Sequence, residues 1–404
     1  MTNAGPGLIV TEPELLEEVD KLLDKPAVLL RDRDAMPSAA AIPLLDCLPM
    51  PADTPAILAY TSGSTGTPKG CIHSHRDLLV VTDTYARYIL KPTAGDRFGG
   101  HPTLAFAYGL GGMLLFPFRF GASTVLLDRF TPDRLLETIQ KHQVTIAFCA
   151  PTTYRMLLKE PEPELRAALR SLRHAISAGE TLPASVFDSW KKATGIEILD
   201  GLGSTEMLHV FISGAPGECR AGTTGKVVPG YTAAVLDDSL QPVPDGTSGQ
   251  LAVKGPTGCR YFNLTERQRA YVRGGWNIPG DMYIRDPDGY FHYQCRNDDL
   301  IICGGNKIAG PEVEAVLLEH PAVAEVAVVA SPDELRGFVP KAFVVAAPGF
   351  QPSIELATQL QEFVKSQLAP YKYPRKVEFL RELPKTSTGK LQRAELRRRE
   401  IGGS

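Results

Sequence analysis

A run of small, hydroxylated and glycine residues follows a short apolar segment in the first sixth of the chain. The run reads TSGSTGTPKG over residues 61–70, and the apolar residues 56–60 before it predict a strand. Backbone N–H groups and hydroxyls in such a loop can turn inward around phosphate oxygens, and the ammonium of Lys69 adds a positive charge. Gly70 stands where a Walker A motif requires Ser or Thr, so this phosphate loop is of another class. A solvated turn is the alternative interpretation.

The same loop resembles the signature of the adenylate-forming superfamily, which includes acyl- and aryl-CoA ligases, luciferases and the adenylation domains of peptide synthetases. The resemblance implies that the loop holds the β- and γ-phosphates of ATP while a carboxylate attacks the α-phosphate. The ATP-binding residues that it assigns in this run are Thr61, Ser62, Gly63, Ser64, Thr65, Gly66 and Lys69.

A second motif, DGLGSTE at residues 200–206, follows a predicted strand at 197–199. It therefore lies at the carboxyl end of a strand, where open α/β sheets bind ligands. A carboxylate there can hold the Mg²⁺ that accompanies ATP, and a hydroxyl can reach a phosphate. The resemblance gives the metal-binding role to Glu206 and the phosphate contact to Thr205, and counts both as catalytic. A helix-capping turn at Glu206 is the alternative.

Further nucleotide contacts are implied by the resemblance. The segment SAGETLP at 177–183 is similar to the family's segment against the adenine ring, and two later residues match contacts to the ribose and phosphate. The residues assigned in this way are Ala178, Gly179, Glu180, Asp200, Gly201, Leu202, Asp281 and Arg296. Pro279 stands where many relatives have Thr, and this departure bears on the contact made by Asp281.

The C-terminal part of the chain carries three further matches. PKTSTGK at 384–390 resembles the catalytic lysine segment, in which Lys390 would bridge the attacking carboxylate and the α-phosphate. Asp298 matches the hinge about which a small domain rotates between half-reactions. Gly304 and Gly305 fall where the family admits the pantetheine arm of CoA, since small residues let a thiol pass close to the backbone. Without the family, these features are an exposed lysine and a plain turn.

The acid-binding residues are also implied by the resemblance. FAYGLG at 106–111 resembles the acyl-pocket helix of benzoate-type CoA ligases, and residues 293–323 look closest to 2-aminobenzoate-CoA ligases. The implied pocket residues are Ala107, Tyr108, Gly203, Leu208 and His209. An aromatic wall and a glycine floor suit a flat ring, and His209 could face a ring substituent. A core histidine bonded to backbone is the alternative for His209.

The elements that must position these residues alternate between helix and strand. Examples are a helix over 73–90, a strand at 144–149 and a helix over 184–193. This alternation predicts an α/β fold with mostly parallel sheets covered by helices. The domain prediction is a large adenylation domain (1–295, truncated at its N-terminus) with a small β subdomain at about 222–295, followed by a mobile α+β C-terminal lid domain (296–404). The arginine-rich residues 393–400 predict a solvated helix face.

Composition restricts the remaining function classes. The 404 residues are 43% hydrophobic and 22% charged, with a net charge of −3, which gives no reason to expect nucleic acid or a membrane surface as partner. No apolar run reaches the roughly 20 residues of a spanning helix, and no signal peptide is recognised. Seven scattered cysteines without a CxxC pair favour a reducing cytoplasm over a disulfide framework or a zinc site.

These observations predict an ATP-dependent aryl-CoA ligase that uses ATP, Mg²⁺ and CoA. A benzoate-like acid, 2-aminobenzoate or a related one, would form an acyl-adenylate that CoA then attacks. A carrier-protein thiol, an amine or nitrite is the alternative acceptor, and a shortened non-catalytic homologue is the alternative protein class. Members of the family have a longer region before the phosphate loop. Self-association or a partner chain is therefore expected to cover the surface that such a region would bury.

Overall fold

The computed structural model describes most of the chain, over residues 48–61, 68–385 and 391–400, with the backbone alone at 10–11, 28–29 and 401–402. The chain divides into two compact units, Met1–Met50 and Pro51–Ser404. In the first unit, strand β1 (Val10–Thr11) pairs in parallel with β2 (Val28–Leu29). All the elements below belong to the second unit. None of the helices in the described part of the chain is long and apolar enough to cross a bilayer.

A β-hairpin near the start of the second unit carries the phosphate-loop motif. Strand β3 (Pro55–Thr61) pairs antiparallel with β4 (Lys69–Ser74), and Thr61 lies opposite Lys69. The ladder therefore fixes both ends of the loop, and Lys69 is the first residue of a strand. The predicted ATP ligands between these ends lie outside the described residues: Ser62, Gly63, Ser64, Thr65 and Gly66.

A long helix follows the hairpin. Its predicted start at residue 73 is wrong by two residues, because Ser74 and Asp77 form a capping box that begins α1 (His75–Val81) at His75. His73 therefore belongs to β4. The helix continues to Leu90 as a π-helical segment (Thr82–Leu90), which a 3.6-residue hydrophobic pattern does not predict.

A seven-stranded sheet forms the centre of this unit. Its strands are β5 (Arg97–Gly100), β6 (Ser123–Thr124), β7 (Ile146–Cys149), β8 (His174–Ala178), β9 (Ile198–Gly203), β10 (Val210–Ser213) and β11 (Lys226–Val227). The order is β11-β10-β9-β8-β7-β5-β6, parallel from β6 to β9 and antiparallel at β10 and β11. The predicted α/β class with a mostly parallel sheet is confirmed. The predicted end of β9 at residue 199 is wrong, since the strand continues to Gly203.

The two faces of the sheet are covered by different helices. Along β7, Ile146 and Phe148 join one buried cluster, whereas Ala147 and Cys149 join the other. The first cluster includes residues of the helix at 75–90 and of a helix with a π-helical middle; the second includes residues of four further helices. These helices are α2 (Ala107–Leu110) continued by the π segment Gly111–Leu115 and α3 (Phe116–Arg119), then α4 (Pro132–His142), α5 (Pro151–Leu157), α6 (Glu162–Ala168) and α7 (Ala184–Thr194).

A smaller antiparallel sheet follows the central one. Its elements are β12 (Thr232–Leu236), β13 (Ser248–Lys254), helix α8 (Thr265–Tyr271), β14 (Val272–Arg273), β15 (Trp276–Asn277), β16 (Asp281–Arg285) and β17 (Phe291–Arg296). Strand β16 pairs with both β13 and β17, and β12 pairs with β13. Both nucleotide-contact residues expected in this region lie on paired strands of this sheet.

The last part of the chain is an α+β arrangement around a five-stranded sheet. After a 3₁₀ turn (Asn297–Asp299) come β18 (Leu300–Cys303), β19 (Asn306–Ala309), α9 (Gly310–Leu317), β20 (Val323–Asp333), β21 (Gly337–Ala346), α10 (Ile354–Gln367), β22 (Lys376–Phe379) and α11 (Arg393–Gly402). The limits of the domains, and the mobility of this part, stay predictions.

The arginine-rich helix α11 is only in part the solvated face that the sequence predicts, since Arg398 and Arg399 are exposed and other residues of the run are not. Arg393 forms hydrogen bonds with the buried carboxylate of Glu314, and Arg397 contacts Asp299. Leu396, between them, is fully buried. Two of the arginines are therefore charge partners for partly enclosed acids.

Candidate active site

Strand β4, the second strand of the phosphate-loop hairpin, contacts the segment that follows β9. The Nε2 atom of His73 lies 2.7 Å from the backbone carbonyl oxygen of Thr205. A carbonyl can only accept, so Nε2 carries the proton. Burial lowers the pKa of His73, which keeps the ring neutral at physiological pH. Thr205 is thus held by the strand that begins at Lys69.

Glu206 is held against the same strand through Tyr261. The Tyr261 hydroxyl donates to Oε1 of Glu206 at 2.6 Å, and Tyr261 forms a β-bridge with Cys71 of β4. A hydrogen bond with Cys259 and burial raise the pKa of the Cys71 thiol; the charge of Glu206 adds to this effect and that of Lys69 opposes it. Lys69 begins β4, and Glu206 is hydrogen-bonded to the bridge partner of Cys71 in the same strand, so both predicted site residues are positioned by β4.

The residues present fit a magnesium ion that arrives with a nucleotide. No group of three His, Cys, Asp or Glu side chains suited to a metal occurs within the described residues. Mg²⁺ commonly keeps several waters and binds one or two carboxylates together with substrate phosphates. Glu206, half-buried and with Oε1 fixed by Tyr261, supplies one such carboxylate. A protein cage around the metal is not needed for this role.

Asp281, predicted to contact the ribose, forms an ion pair with Arg296, predicted to contact the ribose or a phosphate. Asp281 and Arg296 lie opposite each other on β16 and β17, and Nη1 of Arg296 donates to Oδ1 of Asp281 at 2.9 Å. Burial raises the pKa of Asp281, while Arg296 opposes the shift. The Asp281 side chain is buried and that of Arg296 is half-exposed, so the pair presents its guanidinium outward.

Six residues predicted to bind the nucleotide, in the segment expected against the adenine ring and in the motif after residue 199, lie on neighbouring strands or directly after one of them. Ser177 is opposite Asp200 and Ala178 is opposite Gly201 in the β8–β9 ladder. Leu202 follows in β9. Gly179 has φ of +88°, a left-handed conformation that suits glycine where the chain leaves β8. Glu180 follows this turn and accepts a hydrogen bond from the Thr152 hydroxyl at 2.7 Å. All six predicted residues are therefore brought to one edge of the sheet.

Asp200 is buried at this edge. Burial raises the pKa of Asp200 to about 8, although hydrogen bonds from the Ser177 hydroxyl and the Gly201 N–H oppose the shift. The Ser177 hydroxyl donates to Oδ1 at 2.7 Å. The carboxyl group is therefore largely protonated at neutral pH, which the sequence did not predict.

We expect Asp200 to lower the stability of the protein as pH rises. The folded state keeps a proton that the unfolded chain releases near pH 4, so the free energy of unfolding falls from about pH 4 to about pH 8. The variant D200N keeps an acceptor for Ser177 and does not ionise. In urea titrations its stability relative to the unsubstituted protein should be greater at pH 8 than at pH 5. The exposed control D188N should show no such dependence, and equal differences for D200N at both pH values would contradict a protonated Asp200.

The predicted acid pocket is an enclosed aromatic cluster around His209. Nε2 of His209 lies 3.3 Å from the carbonyl oxygen of Tyr108, and its ring meets Phe116 edge-on with centroids 4.6 Å apart. The Tyr108 hydroxyl donates to the carbonyl oxygens of Cys149 and Ile176, at 3.1 and 3.2 Å. Burial lowers the pKa of His209 to about 4, so the ring is neutral and Nδ1 is an acceptor. Nδ1 is buried and has no hydrogen-bond partner among the described residues.

Glycines allow this cluster to close. A Cβ at Gly111 would lie 2.3 Å from Cδ2 of His209, and a Cβ at Gly203 would lie 2.7 Å from the His209 carbonyl oxygen. The neighbouring Leu208 is buried with φ of +70°, a backbone conformation that costs a non-glycine residue about 1–3 kcal/mol. Ala107, at the start of α2, is partly exposed. Four of the five predicted pocket residues therefore lie together, namely His209 and three residues next to it.

The C-terminal candidates lie on turns. Gly304 and Gly305 connect β18 and β19 with φ of +54° and +83°, as a two-residue hairpin turn with two left-handed positions requires. Their role as a CoA channel stays a prediction. Asp298 lies in the 3₁₀ turn before β18. Lys390 lies outside the described residues; Lys385 and Leu391, on either side of it in sequence, form a β-bridge.

Two residues that support the site have no place among the sequence candidates. His73 has a recognisable signal, because it directly precedes the Ser74–Asp77 capping box and so lies before the helix. Tyr261 has none, because its contacts with Cys71 and Glu206 join segments that are remote in sequence.

The family comparisons agree with this geometry. The model of the AMP-binding enzyme family matches residues 1–261, and that of the AMP-binding enzyme C-terminal domain matches residues 312–390. The chain therefore belongs to the AMP-binding enzymes, the adenylate-forming superfamily.

Within the superfamily, the chain is near benzoate- and aminobenzoate-CoA ligases. It is 44% identical over 341 residues to the benzoate–CoA ligase of Thauera aromatica, an alignment that covers 84% of this chain and 64% of that protein. Among solved structures it resembles the anthranilate CoA ligase AuaEII in complex with anthranoyl-AMP, with a TM-score of 0.83, 34% identity and coverage of 98% and 78%. The benzoate CoA ligase from Burkholderia xenovorans LB400 is similar, with a TM-score of 0.83, 36% identity and coverage of 98% and 80%. The chain thus spans slightly less than two-thirds of the length of the Thauera protein.

Proposed function

We propose that the protein is an AMP-forming aryl-CoA ligase. In the first half-reaction a carboxylate oxygen of the acid attacks the α-phosphorus of ATP, and pyrophosphate leaves. In the second, the CoA thiol attacks the acyl carbon of the adenylate, loses its proton and expels AMP. The proposal extends to the organisation of the chain, with a large domain at 1–295 that includes a β subdomain at about 222–295, and a lid at 296–404 that turns about Asp298.

The arrangement around β4 carries the proposal. This single strand begins with Lys69, holds Thr205 through His73 and holds Glu206 through the Cys71–Tyr261 bridge. A triphosphate next to β4 would meet an ammonium, a hydroxyl and a carboxylate. Mg²⁺, held by Glu206, would neutralise part of the phosphate charge when bound. Attack on a phosphorus atom requires such groups close together, because positioning and charge stabilisation supply most of the catalysis.

The enclosed aromatic cluster supports a flat aromatic acid as substrate. Phe116, Tyr108 and His209 present ring faces and edges, and Gly111 and Gly203 let the His209 residue pack close to their backbone. The buried acceptor at Nδ1 of His209 favours an acid that carries a hydrogen-bond donor on its ring. 2-Aminobenzoate satisfies this acceptor, and unsubstituted benzoate does not.

The test incubates the purified protein with ATP, Mg²⁺ and a panel of benzoates and 2-aminobenzoates, with and without CoA, and identifies products by mass spectrometry. We expect aryl-CoA and AMP, with 2-aminobenzoate preferred to benzoate in kcat/KM. Reactions that contain EDTA serve as the control for metal dependence. Adenylate without thioester would point to an acceptor other than CoA, and product analysis with a carrier thiol, an amine or nitrite would then separate the alternatives. Nucleotide or acid binding without pyrophosphate release would contradict the proposal and support a non-catalytic homologue.

A further inference from the structure

Tyr261 makes a contact with the proposed metal-binding residue that no motif assigns. Its hydroxyl donates to Oε1 of Glu206 at 2.6 Å, within the short range that is typical of hydrogen bonds to ionised carboxylates. Within residues 260–262, it is the Tyr261 side chain that forms a hydrogen bond with Glu206. The contact joins two segments 55 residues apart in sequence.

The Tyr261 backbone is fixed on both sides. Tyr261 forms an antiparallel bridge with Cys71, flanked by hydrogen bonds from the Ile72 N–H to the Arg260 carbonyl and from the Phe262 N–H to the Gly70 carbonyl, each 2.8 Å long. Its own N–H donates to Oε1 of Gln268 at 2.8 Å. The segment 260–262 is in effect an extra strand on β4, and so it moves with the phosphate hairpin.

The Tyr261 ring is also fixed. It packs edge-on against Tyr271, with centroids 5.8 Å apart and planes at 79°. The hydroxyl is thereby held beside the Glu206 carboxylate.

We propose that Tyr261 is a positioning residue that orients the Glu206 carboxylate toward the metal-bound phosphates of ATP and keeps it in register with the phosphate hairpin. The inference rests on the proposed function, since it requires MgATP as ligand. A free glutamate side chain samples many rotamers. A hydrogen bond that fixes one carboxylate oxygen of Glu206 also sets the direction of the other oxygen, because both belong to one rigid group. Partners that orient a metal ligand commonly change metal affinity by roughly 10–100-fold when they are removed.

The variant Y261F removes the hydroxyl and keeps the ring. By calorimetry we expect MgATP to bind about tenfold more weakly, while AMP, which lacks the β- and γ-phosphates, binds within about twofold of the unsubstituted protein. The Mg²⁺ concentration that gives half-maximal activity should rise by a similar factor, with activity recovered at high Mg²⁺. In an E206Q background, Y261F should add little further loss, because Tyr261 acts through Glu206.

The matched control is Y290F. Tyr290 is a buried tyrosine whose hydroxyl donates to the Glu218 carbonyl at 2.9 Å, so this variant also loses one enclosed hydrogen bond. It should lower thermal stability without changing the Mg²⁺ requirement. Equal weakening of MgATP and AMP binding by Y261F, or no change in either, would overturn the positioning role alone. If the unsubstituted protein binds no MgATP, the proposed function fails and this role fails with it.

Discussion

Replacement of Lys390 by alanine should abolish adenylate formation while largely sparing the second half-reaction. In the proposed mechanism, the lysine ammonium stabilises negative charge that develops at the α-phosphate as the carboxylate attacks. Loss of one such stabilising group typically costs about 10²–10³-fold in rate. Thioester formation from a supplied acyl-adenylate does not pass through that charged state. Pyrophosphate release measures the first step, and aryl-CoA formation from synthetic adenylate measures the second.

The chain contains a matched control for this variant. Lys385 lies five residues upstream and forms a β-bridge with Leu391, and its Nζ is 2.8 Å from Oε1 of Glu325. Both side chains of this pair are over 40% exposed, and such surface pairs contribute about 0–1 kcal/mol. K385A should therefore retain both half-reactions. An equal loss of both steps in K390A would show that the lysine has a structural role or a role common to both reactions.

In the variant Gly111→Ala, the new Cβ would lie 2.3 Å from Cδ2 of His209 and 3.0 Å from Cζ of Phe116, so the π-helical segment or the histidine ring must move. Overpacking of this kind costs about 1–3 kcal/mol, and a shift near 1 Å at a reacting group can cost about 10²-fold. We expect kcat/KM for the acid to fall by roughly that factor, while the affinity for AMP changes little. Acid-dependent pyrophosphate release and thermal unfolding measure the two effects.

Gly95→Ala provides the comparison for this prediction. The nearest heavy atom to a Cβ at Gly95 is the Thr93 hydroxyl oxygen at 3.8 Å, an ordinary contact distance. This second substitution should leave both the kinetics and the unfolding temperature close to those of the unsubstituted protein. Near-normal use of the acid by G111A would mean that the substrate does not approach His209.

The fold was predictable where hydrophobic pattern and local signals agree. The strand predicted at 144–149 corresponds to β7 at Ile146–Cys149, and the helix predicted at 184–193 corresponds to α7 at Ala184–Thr194. The errors have local causes. Two glycines made the end of β9 resemble a loop, although pairing with β10 continues the strand to Gly203. The π-helical segment at Thr82–Leu90 depends on packing, and the spacing of hydrophobic residues in the sequence does not predict it.

The candidate site was predictable only as separate motifs. The resemblance named Lys69, Thr205 and Glu206, but it could not show that one strand holds all three. That arrangement depends on His73 and Tyr261, whose partners are 132 and 55 residues away in sequence. The motifs also could not predict the pKa shifts. The raised pKa of Asp200 and the lowered pKa of His209 arise from burial in the folded core.

The contacts of α11 have a mechanical consequence for the proposed lid. Arg397 contacts Asp299, the residue directly after the proposed hinge, and Arg393 contacts Glu314 of α9. Leu391 and Gln392, which directly follow Lys390 in sequence, lead into this same helix, and the Gln392 side chain donates to the Lys385 carbonyl at 2.8 Å. The residue after the proposed hinge and the residues after the proposed catalytic lysine are thus joined through α11. In the proposed rotation about Asp298, Leu391 and Gln392 would therefore move together with this helix.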